Sequence, residues 1–403
     1  MIRDGSKPRL LVLTSTYPRW QDDHTPPFVH ELARRLTDTF DVTVLAPHAA
    51  GALHQEQMDG VAVHRFRYAP DRLERLAYDG GIPARLRRQP WLIALVPSFV
   101  LAQLIAAYRL TRKTSPSVVH AHWLIPAGLI GAVLKELMPG GRKLLITAHG
   151  ADVHLTGPRV IAWLKRLAID SADLVTVVSR ALRESALTLA PRGPGIEIAP
   201  MGVDLQTRFT PAAQPVEAPV LVYAGRLVAK KGVPDLLHAM PQVLAEIPAA
   251  RLMIVGSGPM EDELRGMVDH LQIGHAVRFL GSIPNASMPD ALRQARLAVL
   301  PFRTADDGDV EGLGLAAVEA MGCGLPVIVG DVPAIRDVVG DASTGWIVPS
   351  DSPERLADAI VHLLSNPAIS SELGNAGRRY ALDNFDWEIA AQRYREILLR
   401  LAD

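Results

Sequence analysis

The chain carries a single cysteine, Cys323, among 403 residues. One thiol closes no intramolecular disulfide, so a reducing, cytoplasmic setting is expected. An excess of either charge is also missing, with 42 Lys and Arg against 43 Asp and Glu. That balance removes the electrostatic case for a nucleic-acid partner. Repeats and low-complexity tracts are absent. No signal-peptide core is legible at the start, where Arg3, Asp4, Lys7 and Arg9 lead into an apolar strand. What is present is a 48% apolar chain too long for one ordinary core, so two domains are expected.

The first half reads as alternating strands and helices. Residues 9–15 form a short apolar run, 16–27 a polar, proline-rich loop, 28–36 an amphipathic helix and 42–46 the next strand. Strand, loop, helix, strand is the opening of a doubly wound α/β domain, whose ligands bind beyond the C-terminal strand ends. Further strands are expected at 60–67, 117–121 and 143–148. The last two deliver His122-Trp123 and His149-Gly150 to that edge. His120 and His122 are expected to point to opposite faces of their strand end. A zinc site from His120, His122, His149 and His154 has no metal-ligand spacing to support it.

Residues 207–219 hold three prolines and little apolar periodicity, which marks a linker. The second half opens with a buried strand at 220–224, then Gly225-Arg226 and Lys230-Lys231-Gly232. Arg226 and Lys231 are spaced across a strand-to-helix loop so that together they can clamp a diphosphate, one as a planar fork and one as a point charge. Gly256-Ser257-Gly258-Pro259 follows a strand at 252–255. Glu261 stands where a dinucleotide fingerprint needs its third glycine, so the motif is weak as such.

The richest stretch is EGLGLAAVEAMGCGLPVIVG, Glu311 to Gly330. It reads as a loop, a helix over 313–321, a glycine stop and a strand over 327–329. Glu311 and Glu319 are about two helical turns apart and can share one side. Gly312 and Gly314 keep the helix entrance open, so the free N–H groups from Gly312 to Leu315 can hold an anion. Two carboxylates that accept from hydroxyls, beside donors for phosphate, suit a sugar joined to a phosphate. A solvated helix with an N-terminal carboxylate would account for Glu311, but not for Glu319 among Ala, Val and Met.

The two glutamates followed by EAM-x-CG-x-PV, with the GR-x4-KG pattern of Gly225 to Gly232, resemble the retaining glycosyltransferases of family 4. The resemblance covers nearly the whole chain and is strongest over 225–349. It implies the GT-B fold: two doubly wound Rossmann-like domains with a cleft between them and a C-terminal helix crossing back to the first. The expected division is 1–206 for the acceptor domain, 207–219 for the linker, 220–383 for the donor domain and 384–403 for the returning helix. The acidic lead-in at 306–312 resembles the branch that builds bacterial exopolysaccharides and lipid-linked sugars.

The resemblance also implies roles. A hexose would pass from a nucleotide-diphosphate sugar to a saccharide or lipid-linked saccharide, with retention of anomeric configuration. Arg226 and Lys231 would hold the diphosphate, helped by Gly225 and the N–H groups of Gly312, Leu313, Gly314 and Leu315. Glu319 would accept from the ribose, Glu311 from sugar hydroxyls, and Gly256, Gly258 and Ile283 would line the nucleotide site. His149 matches the family's HG motif and would orient the sugar or shield the developing cation. The family often places glycines in the 16–27 loop. Here His24, Thr25, Pro26 and Pro27 stand instead, so Tyr17 and Phe28, with His122 and Trp123, are assigned to the acceptor. Asp307 and Asp309 match a metal-binding D-x-D, but two cations already serve the phosphates, so no metal or other cofactor is expected. Rival readings are a nucleotide-sugar epimerase or hydrolase on this fold, and a non-catalytic nucleotide-sugar binder.

One segment stands apart. Residues 91–108 contain no charge, and 65–113 hold ten Arg and Lys against three Asp and Glu. Interrupted by Pro97, Ser98 and Gln103, the uncharged run is expected to be a buried core helix rather than a span. The basic flank predicts weak peripheral association with an anionic membrane, at the inner face of the cytoplasmic membrane.

Overall fold

The computed structural model describes residues 7–21, 23, 27–78, 81–138, 140–154, 158–214, 216–340 and 343–403. His24, Thr25 and Pro26 of the expected acceptor loop lie outside them. The chain divides into two compact units. Unit 1 comprises Met1–Val178, Leu182–Met201 and Ala390–Asp403; unit 2 comprises Ser179–Ala181 and Gly202–Ile389. The 207–219 segment therefore belongs to unit 2.

Unit 1 is built on strands β1 (Arg9–Leu13), β2 (Asp41–Pro47), β3 (Gln55–Met58), β4 (Val61–Phe66), β5 (Val118–His122), β6 (Lys143–Ala148), β7 (Leu174–Val177) and β8 (Ile196–Ile198). They form one sheet in the order β3-β4-β2-β1-β5-β6-β7-β8. All neighbours are parallel except β3 and β4. The central strands read as unbroken aliphatic runs because helices cover both faces and no residue has a polar side to show. Edge strand β3, QEQM, has no such run and is not legible as a strand on hydrophobicity. Asp59-Gly60, both at positive φ, turn it into β4 as a tight hairpin turn does. That dipeptide was the available signal.

The helices of unit 1 are α1 (Phe28–Arg35), α2 (Gly81–Arg88), α3 (Val96–Thr114), α4 (Leu129–Leu137), α5 (Ala151–His154), α6 (Arg159–Ser171) and α7 (Arg180–Leu189), the last beginning within the short Ser179–Ala181 piece of unit 2. From β4 through β5 and β6 to β7 the chain steps across the sheet in one direction. Right-handed crossovers then put α3, α4 and α6 on the same face.

Helix α3 corrects an expectation. It is not buried in a core. Phe99, Gln103, Ala107 and Leu110 face the sheet, while Leu101 is 57% and Ile105 42% exposed. Just before it, in a 3-10 turn over Pro90–Leu95, Trp91 and Ile93 are exposed too. A long apolar helix signals burial from composition alone, but one layer over a sheet buries only one side of it.

Unit 2 holds β9 (Val220–Ala224), β10 (Arg251–Val255), β11 (Val277–Gly281), β12 (Leu297–Leu300), β13 (Val327–Gly330) and β14 (Trp346–Val348), in the order β11-β10-β9-β12-β13-β14. Every neighbouring pair is parallel. Its helices are α8 (Val233–Glu246), α9 (Glu261–His270), α10 (Met288–Leu292), α11 (Leu315–Gly322), α12 (Ile335–Val338), α13 (Pro353–Ser365) and α14 (Pro367–Phe385). The last helix, α15 (Trp387–Ala402), begins in unit 2 and from Ala390 belongs to unit 1. There Tyr394, fully buried, donates to Ala199 O at 2.9 Å and stacks on His120 at 5.7 Å between ring centroids. The returning helix is thus an integral part of the first domain.

Candidate active site

In unit 2 the strand order reverses between β9 and β12. Loops leaving adjacent strands in opposite directions open a crevice there, which is where such sheets take ligands. The loop after β9 carries Gly225 to Lys231 and the loop after β12 carries Pro301 to Gly314. Arg303 N donates to Lys230 O at 3.0 Å and joins the two. Residues 80 positions apart in sequence meet there. Lys231 Nζ donates to Glu311 Oε2 at 2.7 Å and lies 4.7 Å over the Phe302 ring. Lys230 turns the other way, to Asp309 Oδ1 at 3.0 Å and Val310 O at 3.2 Å. Of the two lysines, Lys231 is therefore the one that faces the glutamate, as the motif implied.

Electrostatics separates the two glutamates. Burial pushes the Glu311 carboxyl up. The ammonium groups of Lys231 and Lys230, the Lys231 hydrogen bond and the Leu313 N–H outweigh it and hold the group down at about 2. Burial dominates at Glu319 and raises it to about 7, against the weaker pull of Arg208 and Lys231. One carboxylate is fixed as an anion. The other is raised into the neutral range, so its protonated form can donate to a hydroxyl as well as accept from one, which is more than the accepting role read from sequence.

Helix α11 starts at Leu315 rather than 313, with Gly314 at φ 94° as its N-cap. Gly314 is there for its backbone: a Cβ would sit 2.9 Å from Ile335 Cδ1, and that φ disfavours any other residue. The expected row of four free N–H donors is shorter. The Leu313 N–H is engaged by the Glu311 carboxylate, and Gly312, Leu313 and Gly314 are buried. Leu315 is the part of that row that stays partly open.

Gly256 and Gly258 have a packing reason as well. A Cβ on Gly256 would lie 1.9 Å from Gly225 O, and one on Gly258 2.2 Å from Leu227 O. The loops after β9 and β10 run in contact, stitched by Leu227 N to Ser257 O at 3.0 Å. Arg226 is exposed in the first of them. Ile283 is half-buried just beyond β11, where Ser257 and Ser282 share a hydroxyl hydrogen bond of 2.7 Å. Arg208 was missed by the sequence reading because it sits in a segment read as linker. Its guanidinium donates to Asn285 O, beside the Ile283 loop, and it also acts on Glu319. Asp309 pairs with Lys230, and Asp307 accepts from Asp309 N at 3.1 Å.

Unit 1 assembles a separate cluster at the ends of β5 and β6. His149 Nε2 and His122 Nδ1 share a hydrogen bond of 3.0 Å. His120 and His122 rings are 4.3 Å apart, on one face, as residues two apart on a strand must be; the expected divergence does not occur. His120 Nε2 continues to Thr147 Oγ1 at 2.7 Å, and Thr147 to Thr176 at 2.6 Å. Burial depresses all three imidazoles, His120 and His149 to about 3, so each is neutral at physiological pH. Phe28 and Trp123 each lie 5.0 Å from the His149 ring. Asp152 holds the strand end in place by accepting from His149 N, Gly150 N and Leu124 N, each at 3.0 Å. Its role had gone unread.

Two of the four expected acceptor residues are not on the surface. Tyr17 is fully buried with its hydroxyl on His30 Nδ1 at 2.6 Å, and His122 is 1% exposed. His122 can act only through His149. A run of polar residues at a strand end gives no warning of which ones the next layer covers. Among the described residues His48, Asp71 and Glu74 bring three ligand atoms within 4.8 Å of one another, but Arg67 already pairs with both carboxylates.

The family model described as Glycosyltransferase Family 4 matches residues 27–207, and Glycosyl transferases group 1 matches 206–380. A GDP-mannose-dependent monoacylated alpha-(1-6)-phosphatidylinositol monomannoside mannosyltransferase of Corynebacterium glutamicum is 31% identical over 81% of this chain and 86% of its own. The chain belongs to the family 4 glycosyltransferases. The GDP-mannose-dependent alpha-(1-6)-phosphatidylinositol monomannoside mannosyltransferase of Mycolicibacterium smegmatis is 29% identical over 96% of this chain and 98% of its own. Sucrose-phosphate synthase from Thermosynechococcus elongatus shares the GT-B fold, with a TM-score of 0.78 at 24% identity over 98% and 99% of the two chains. Family 4 membership and transferase relatives favour group transfer over the epimerase, hydrolase and binder readings.

Proposed function

We propose that this glycosyltransferase moves mannose from GDP-mannose to a lipid-linked saccharide, with retention of anomeric configuration. The observation that carries the donor half is the Lys231–Glu311 pair at the switch point of unit 2. A cation for the leaving diphosphate and an anion for sugar hydroxyls stand side by side there. The names of the two mannosyltransferase relatives support GDP-mannose and a lipid acceptor.

In this reading Lys231 and Arg226 hold the diphosphate, and bound phosphate competes with Glu311 for the Lys231 ammonium. Glu311 is then released to accept from the sugar. Glu319 exchanges hydrogen bonds with the ribose, and Ile283 packs beside the base. As the bond from C1 to phosphate breaks, charge builds on the phosphate and an oxocarbenium-like centre forms; stabilising that phosphate charge is the main electrostatic task. The acceptor hydroxyl enters on the face the phosphate leaves and passes its proton to the departing phosphate oxygen as it bonds to C1, which retains configuration without a covalent glycosyl intermediate. His149, kept neutral, supplies a hydrogen bond to the sugar rather than a repelling cation. No metal takes part.

The test is nucleotide release from GDP-mannose, UDP-glucose, ADP-glucose and dTDP-glucose, with and without lipid-linked saccharide extract, each with EDTA. Release from GDP-mannose that rises with extract and ignores EDTA is expected, with an α-linked product by NMR. Release from another donor overturns the mannose assignment. Release without extract favours hydrolysis, a β product overturns retention, and loss with EDTA brings Asp307 and Asp309 back as metal ligands.

A further inference from the structure

Helices α3, α4 and α6 lie side by side on one face of the unit 1 sheet, α4 packing against both neighbours. Each shows the same thing on its outer surface, an exposed apolar pair four residues apart. The pairs are Leu101 and Ile105, Val133 and Leu137, and Trp163 and Leu167. Leu137 is 60% and Trp163 59% exposed. Residues four apart are stacked neighbours on a helix, so each pair makes a short apolar strip. Packed helices lie ~8–10 Å apart, so three strips form a patch ~20 Å or more across. A lone exposed leucine needs no explanation; a repeated strip across three helices does.

The charge beside this patch is predominantly positive on α3 and the segment before it. From Gly81 to Ser117 the sequence has no Asp or Glu and has Arg85, Arg87, Arg88, Arg109, Arg112 and Lys113. Arg109, Arg112 and Lys113 are exposed on α3 itself. Trp91, exposed at the start of the segment, and Trp163 on α6 add indoles, whose apolar body and polar N–H suit a bilayer interface. The nearest acids on these helices are Glu136, exposed, and Asp170, which pairs with Arg166 at 3.3 Å.

We infer that the α3–α4–α6 face of unit 1 is the surface by which the protein docks on an anionic lipid bilayer. The helix Pro90–Thr114 is long and apolar enough to span a membrane. Its Phe99, Gln103 and Leu110 side is committed to the sheet, so it lies along the interface and does not cross. A second copy is a poorer occupant, since an isologous contact would set Arg109, Arg112 and Lys113 against their own equivalents. The inference goes beyond the donor reading and shares no residue with it, so either can fail alone.

The experiment is sedimentation of the full chain with vesicles of phosphatidylcholine alone and with 30% phosphatidylglycerol, in low salt. Binding to the anionic vesicles in preference to phosphatidylcholine alone is expected, falling ~tenfold or more in high salt as the cations are screened. Trp163→Ser with Leu167→Ser should weaken it several-fold, as should a triple Arg109→Gln, Arg112→Gln, Lys113→Gln variant. All these side chains are exposed, and a circular-dichroism melt with nucleotide affinity checks that the fold is kept. Equal binding to both vesicle types, or anionic binding untouched by the α6 pair, overturns the proposal. A dimer in sedimentation velocity that the α6 pair abolishes, with no vesicle binding, makes the occupant a second copy and overturns it as well.

Discussion

The Lys231–Glu311 pair can be tested apart from catalysis. The Glu311 carboxyl falls from its ordinary 4.5 to about 2. At ~1.4 kcal/mol per pH unit this is on the order of 3 kcal/mol of net favour for the ionised form in the folded state. Lys231 is the largest favourable contributor, and both side chains are only 14–15% exposed, so solvent screening discounts little. Replacing Lys231 by Met leaves the carboxylate with Lys230 and one N–H against its burial. A loss of ~2–3 kcal/mol at pH 7 is expected, the cost of an uncompensated partly buried charge. Glu311→Gln in the same background should return most of it. The sign with pH follows from linkage. A depressed carboxyl stabilises above its unfolded value, and that stability is lost as pH falls from 4.5 towards 2. Lys231→Met should abolish that window and gain relative stability on mild acidification. Urea unfolding of the wild type, both single variants and the double variant at about pH 7 gives the coupling energy directly, and repeating it at about pH 5 and about pH 3 reads the window. A coupling under ~0.5 kcal/mol, the limit at which independent sites add, refutes the reasoning.

Two further expectations concern stability. His120 is fully buried and depressed to about 3, so the folded chain refuses a proton that the unfolded chain takes below ~6.5. Stability should be full above that pH and fall by ~1.4 kcal/mol per unit for this group as pH drops towards 3; His120→Asn, which removes the titration, should flatten the acid limb of a denaturation series. Gly256→Ala sets a methyl 1.9 Å from Gly225 O at φ 128° and should cost ~2 kcal/mol or more, read as a lowered urea midpoint, with the loops after β9 and β10 pushed apart.

Most of the framework was legible. Strands buried on both faces write themselves as aliphatic runs, and strand-helix alternation fixes a doubly wound class. The motif from Glu311 to Gly330 placed both glutamates, and the Arg226 to Lys231 spacing placed the cation that meets Glu311. These features are local: each depends on residues close together in the chain.

What the sequence left open depended on coverage and on long-range contact. Helix α3 has the composition of a core helix, yet only one of its sides is covered, because a single helical layer lies on the sheet there. Tyr17 and His122 carry groups that suit a ligand, and the packing of α1 and the His149 loop covers them. Glu311 and Glu319 are the same residue type on one stretch, and only the tertiary structure separates them. The loop after β9 brings the Lys231 ammonium into contact with Glu311, with Lys230 acting through space, while Glu319 receives burial with weaker compensation. Sequence determined which residues are available at the strand ends; the fold decided which of them are charged, which are covered and which meet.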